Sequence, residues 1–134
     1  MTKGKWLYIQ STGELFDPNG VKVATGYAGH GIGKNNPAMQ GIRNVGPIPC
    51  GEYRIGELID KHPTAGPLAI RLEPLDESVM FGRSGFLAHG DSIVAPGTAS
   101  NGCIIAPRTA RLLVAGDKGG TLRVAAYPPS ILAS

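Results

Sequence analysis

Apolar and polar residues alternate along most of this chain in short runs bounded by glycine, proline and asparagine. Lys5-Trp6-Leu7-Tyr8-Ile9-Gln10 alternates as a half-buried strand does. Turn signals at Ser11-Thr12-Gly13 and Asp17-Pro18-Asn19-Gly20 flank a short second strand, and Val21-Lys22-Val23-Ala24 continues the meander. Alternation returns at Tyr53 to Ile59 and at Leu68 to Leu72, with the turn-rich run His62-Pro63-Thr64-Ala65-Gly66-Pro67 between them. Phe86-Leu87-Ala88 predicts a strand that delivers His89 at its C-terminal end, Cys103-Ile104-Ile105-Ala106 begins another, and Thr121 to Tyr127 closes the set. The pattern predicts one helix, Arg108 to Ala115. Pro107 suits its first position because the missing N–H costs nothing there, Leu112 and Leu113 are apolar, and Gly116 is a C-cap. From Gly29 to Pro49 the chain is rich in Gly, Asn and Pro, a long loop of the kind that carries function when ordered. No internal repeat or linker interrupts residues 1–134, so the expectation is a single, mostly β domain with one short helix near the C-terminus.

Composition agrees. A chain of 134 residues buries one core without staples, and 20 Gly with 11 Pro favour short strands joined by turns. The net charge of +3 comes from scattered basic residues with no aromatic-interleaved block, which argues against nucleic acid as a partner. Mild positive charge suits approach to an anionic surface. Two cysteines do not make a zinc site alone, no two of the three histidines have helical ligand spacing, and no cofactor motif is present. No apolar run is long enough to span a membrane. The polar start MTKGKWLYIQ lacks the apolar segment of a signal peptide, so a protein made in the cytoplasm is expected.

The chemistry concentrates in HGDSIVAPGTASNGC, with His89-Gly90 at one end and Ser100-Asn101-Gly102-Cys103 at the other. A cysteine attacks carbonyls as thiolate, and a nearby imidazole is its usual proton acceptor. Gly102 permits a sharp turn and lets backbone N–H groups, those of Gly102 and Cys103, aim at the oxyanion. The plainer alternative is a buried structural Cys103 and an unrelated loop histidine. His30 and His62 read as loop residues. A Cys50–Cys103 disulfide is possible on count but would block the nucleophile, so Cys50 reads as a structural thiol leading into a strand.

The order His-Gly, loop, Ser-x-Gly-Cys and apolar residue resembles the L,D-transpeptidase catalytic domains of bacterial cell-wall enzymes. Gly46-Pro47-Ile48-Pro49-Cys50-Gly51-Glu52-Tyr53 is similar to that family's Thr-Pro-x-Gly-x-Tyr/Phe segment. The run GYAGHGIGKNNPAMQ is similar to a divergent branch, the short L,D-transpeptidase-like toxins delivered by type VI secretion systems. The chain departs from the pattern in four respects. Asn101 stands at the second motif His, the His-to-Cys loop is about two residues shorter than is common, Ala28 stands where Ser is common, and Ile105 where Arg or Asn is frequent. The resemblance covers Trp6 to about Tyr127 and implies a sandwich or curved mixed sheet.

It further implies attack by Cys103 on the diaminopimelate–D-Ala bond of peptidoglycan tetrapeptide stems, with His89 as base and then acid. Ser100 orders the turn, and the Gly90 carbonyl holds the second imidazole nitrogen. Tyr27, Asn35 and Asn36 are then candidate ligands of the polar stem, and Arg108 a cation for a carboxylate. Release to water gives a carboxypeptidase, to a D-amino acid an exchange enzyme. Needing no cofactor, such a toxin acts in the periplasm of a target bacterium and is met by a periplasmic immunity protein and by secretion components. Two other classes stay open: a different cell-wall cysteine peptidase or amidase, whose familiar form places Cys before His, and a non-catalytic wall-binding domain.

Overall fold

The computed structural model describes residues 4–129, and the first three residues of the polar N-terminus lie outside them. Eight strands form one mixed sheet: β1 Trp6–Ile9, β2 Glu14–Phe16, β3 Lys22–Thr25, β4 Gly51–His62, β5 Gly66–Pro74, β6 Leu87–His89, β7 Ile104–Ile105 and β8 Thr121–Ala125. Their order is β3-β2-β1-β8-β4-β5-β6-β7. The pairs β1–β8 and β6–β7 are parallel, and all others are antiparallel. The fold is therefore mostly β, with a single short helix, α1 Arg108–Ala115, near the C-terminus.

Alternation sets the core. Tyr8, Tyr53, Ile55, Ile70, Leu72, Ile104, Leu122 and Val124 are buried together, and Tyr53 meets Phe86 edge-on at a centroid distance of 5.5 Å. Removing such side chains from water is the main driving force of a sheet this size. Register shifts between Ile55 and Leu58, where Gly56 lies against the Arg71 carbonyl and the Glu73 side chain. That irregularity bends the long β4–β5 hairpin.

The sheet curls until its two ends meet. Tyr27, just past β3, pairs with Ile105 of β7 through reciprocal backbone hydrogen bonds of 3.2 and 2.7 Å. Gly26 makes the closure possible, because any Cβ there would overlap the Ile105 carbonyl. This seam places the loop after β3 beside the segment that carries Cys103.

Pro107 caps α1 and Gly116 ends it, but the buried face of the helix is Ala110, Arg111 and Val114. Leu112 and Leu113 point outward and are exposed. The long loop 29–49 contains two short 3-10 turns, Gly31–Gly33 and Pro37–Met39, and otherwise stays irregular. No helix among the described residues is long and apolar enough to cross a membrane.

Candidate active site

His89 is the last residue of β6, and Cys103 immediately precedes β7. Parallel pairing of Ala88 with Ile104 and of His89 with Ile105 sets Cys103 beside Leu87, two residues before the histidine. Residues two apart on a strand share a face. Cys103 and His89 accordingly line one cavity of about 360 Å³, with His62, Arg71 and Asn101 also in its wall. A second cavity of about 310 Å³ also borders Cys103 and is walled by Arg43, Asn44, Arg83 and Phe86; His89 does not line it.

The two reactive groups are held separately. Nδ1 of buried His89 lies 2.9 Å from the Gly90 carbonyl oxygen. A carbonyl only accepts, so Nδ1 carries the proton and Nε2 keeps its lone pair. The half-buried Cys103 thiol has its hydrogen-bond partner at the Gly85 carbonyl, 3.9 Å away, and not at the imidazole. Burial pushes the Cys103 thiol up, opposed by the Leu87 N–H and the Arg83 cation. Burial pushes His89 down, helped by the nearby Arg111 and opposed by the Gly90 carbonyl. Both shifts disfavour the charged forms, so the resting pair is neutral thiol and neutral imidazole. Use of this thiol as a nucleophile would therefore require its proton to move during the attack.

Ser100 is a fully buried hub with no free lone pair to spare. Its hydroxyl donates to the Cys103 carbonyl at 2.6 Å and accepts from the Gly29 and Gly102 N–H groups at 2.9 and 3.0 Å. The Gly102 N–H is thus already engaged by Ser100, which differs from the free donor that the sequence expectation assigns to that residue. Gly102 has φ +140, and a Cβ there would strike Arg83 Nη2.

Arg83 is the principal residue that sequence reasoning missed. It is buried, and its guanidinium donates to the carbonyls of Gln40, Pro47 and Gly46, with Asn101 at 3.5 Å. It therefore ties loop 40–47 to the nucleophile turn. Arg111 plays the matching part behind the base: Nε donates to Ala106, and Nη1 to Pro67 and Leu68, at 2.8–3.0 Å. His62, read as a loop residue, ends β4 and lines the shared cavity while Nδ1 accepts from Thr64 and Ala65 N–H groups at 3.2 and 3.0 Å.

The four expected substrate ligands do not line either cavity. The Tyr27 hydroxyl donates to Asp91 at 2.6 Å and accepts from the Ala99 N–H at 2.9 Å, clasping the loop between His89 and Cys103. Asn35 accepts from the Ala28 N–H at 3.2 Å. Asn36 caps the second 3-10 turn through the Ala38 N–H and donates to the Ile32 carbonyl. The Asn35 and Asn36 side-chain oxygens are thus engaged by the loop's own backbone, and the Tyr27 hydroxyl by the loop between His89 and Cys103. Arg108 opens α1 on the exposed side. Cys50 is a free thiol 3.4 Å from Gln10 Oε1, just ahead of β4, and no disulfide joins it to Cys103.

A single curved sheet whose Cys103 thiol and His89 imidazole face a common cavity defines the class: a β domain with a cysteine–histidine cleft. Residues 22–129 match the family model of the Tlde1 domain, and the chain belongs to that family, whose members are secreted toxins of type VI secretion systems. Neither the curated proteins nor the solved structures gave a match to the chain.

Proposed function

We propose that the protein is a cysteine-dependent L,D-carboxypeptidase and L,D-transpeptidase acting on peptidoglycan tetrapeptide stems. The observation that carries the reading is the shared cavity: Cys103 and His89 open into one space, with the imidazole neutral and its Nε2 free to accept a proton. Cys103 Sγ attacks the carbonyl of the diaminopimelate L-centre while His89 takes the thiol proton. The tetrahedral oxyanion forms beside the Cys103 N–H, within the field of Arg83. His89 then protonates the amine of D-Ala, which leaves, and the stem remains as a thioester on Cys103. Water or a D-amino acid resolves the thioester.

Removing or exchanging the terminal D-Ala consumes the donors that wall cross-linking requires, which accounts for toxicity. The substrate places the site of action in the periplasm of a target cell, where an immunity protein of the producer covers the Cys103 cleft. The test is mass analysis of defined tetrapeptide muropeptides incubated with purified protein. Tripeptide and D-amino-acid-exchanged stems are expected from wild type and not from Cys103→Ala. Stems left intact by correctly folded wild-type protein would refute the activity.

A further inference from the structure

The two cavities that meet at Cys103 differ in what chemistry they permit, and the difference fixes the direction of the substrate. This step rests on the acyl-transfer reading above. Formation of the thioester joins Sγ to the carbonyl carbon and breaks the carbon–nitrogen bond, and the departing nitrogen takes its proton from His89. Resolution by an amine reverses the flow: nitrogen bonds to the carbonyl carbon, the carbon–sulfur bond breaks, and the amine proton passes through His89 to sulfur. The leaving and the incoming nitrogen therefore occupy the cavity that His89 and Cys103 both line, and the acyl part of the stem extends toward the other cavity at Cys103.

In the His89 cavity one cation stands ready. Arg71 of β5 is exposed, pairs across the ladder with Leu87, and lines the same wall as His89 and Cys103. β5, β6 and β7 are consecutive in the sheet, so Arg71 lies two strand spacings from Cys103, about 9–10 Å between backbones. That span fits a scissile carbonyl, its nitrogen and the carboxylate one carbon further on. The Arg71 side chain has no hydrogen bond or ion pair among the described residues. Glu73, two positions along on the same face, is engaged by Arg54 at 3.2 Å. No Asp or Glu lines this cavity.

We propose that Arg71 is the specificity-determining residue that binds the α-carboxylate of the departing D-Ala and of any D-amino acid that replaces it. A guanidinium grips a carboxylate through two parallel N–H donors, so the site selects amino acids with a free carboxylate on the carbon next to the reacting nitrogen. Amines without that group bind less well.

The experiment compares tetrapeptide stems ending in D-Ala with stems ending in D-alaninamide, cleaved by full-length wild type, Arg71→Gln and Arg71→Lys. Wild type is expected to prefer the free acid by 10-fold or more in kcat/KM, about the value of a charge-assisted pair. Arg71→Gln is expected to lose the preference entirely through slower cleavage of the acid, with the amide unaffected, and Arg71→Lys to keep part of it. Arg71→Gln that cleaves with the full wild-type preference overturns the assignment and leaves the parent activity standing. Wild-type protein that cleaves neither stem removes the parent reading, and this one with it. The melting temperature of each variant reports folding, and if Arg71→Gln does not fold, the lysine variant decides: an undiminished preference there is not expected of a planar two-point contact.

Discussion

The nucleophile corner and the base corner are each backed by one buried arginine, yet the two cations act in opposite senses. Arg83 lies behind the Asn101-Gly102-Cys103 turn, and its charge favours the thiolate. Arg111 lies behind His89-Gly90, and its charge disfavours the imidazolium. Both are anchored on backbone carbonyls, three or four each, and neither is paired with a carboxylate among the described residues. Buried guanidinium charge satisfied by carbonyls keeps its field, because no counter-charge cancels it. The two fields thus act on the thiol and the imidazole from behind and leave the cavity between them open. The same two side chains join separate segments, Arg83 the 40–47 stretch to Asn101 and Arg111 helix α1 to Ala106 and the start of β5, so tuning and construction are one device.

The largest effect tests whether the corners work as a pair. Cys103→Ala is expected to abolish stem cleavage, and His89→Asn to lower kcat by about 10²–10⁴-fold, the usual share of a general base. Combining them should cost no more than Cys103→Ala alone, since the base has no role without the thiol. In cells, toxicity should require both delivery to the periplasm and Cys103. Toxicity of the alanine variant, or equal toxicity in both compartments, would detach the cleft from the biological effect.

Next in size is the loss of either arginine. Arg83→Met and Arg111→Met keep volume and leave buried carbonyls without donors, at roughly 2–4 kcal/mol each. Denaturant titration is expected to show similar destabilisation, while the pH profiles diverge. Without Arg111 the His89 pKa moves upward, so the acid limb of kcat/KM shifts to higher pH. Without Arg83 the Cys103 thiol becomes harder to ionise, so alkylation by iodoacetamide slows at fixed pH. Identical profiles in the two variants would show that the arginines are structural only.

In the wild type, His89 is depressed below the ordinary imidazole value, so the base stays neutral further into acid than a free histidine would. The acid limb of kcat/KM is accordingly expected below pH 6.5, the ordinary histidine value. A limb well above that would require an imidazolium stabilised in the resting enzyme, contrary to the burial of His89.

The difference between the corners and their supports also explains what could be read in the chain. β1, β4, β5 and β8 announce themselves through alternation, because one face of each is packed and the strand period is two. His89 and Cys103 are legible through their glycines, which mark a strand end and a tight turn. Arg83 is not, since its partners are contributed by residues 18–43 positions away and its own neighbourhood reads as an ordinary Gly-rich turn. Arg111 left a faint signal: it falls between Ala110 and Val114 on what becomes the buried face of α1, a place where a charge calls for partners. Tyr27, Asn35 and Asn36 read as candidate stem ligands, but sequence alone does not separate a residue that binds substrate from one that satisfies its own loop. Closure of the sheet at Tyr27–Ile105, which joins residues 78 apart, is a long-range contact that the local pattern does not carry.

The smallest effect concerns that clasp. Tyr27 holds Asp91 at one end of the loop and Ala99 at the other, while Asp91 also accepts from the Ser92 and Gly97 N–H groups. Burial, then the hydrogen bond to Asp91, push the Tyr27 hydroxyl up to about 12, so it is a donor throughout the neutral range. Tyr27→Phe removes one donor and one acceptor while the ring remains beside Lys34. Because the clasp faces solvent, water replaces much of what is lost, and the stability cost is expected to be about 1 kcal/mol. The consequence for the two corners is asymmetric. Ala99 adjoins Ser100, the hub of the nucleophile turn, whereas His89 is fixed by β6 and Gly90 independently of Tyr27. Tyr27→Phe should therefore slow thiol alkylation and stem cleavage a few-fold together and leave the acid limb of the pH profile in place. A shifted acid limb would mean that the clasp supports the base corner instead, and hydrogen exchange at Ala99 against that at Gly90 would locate the change.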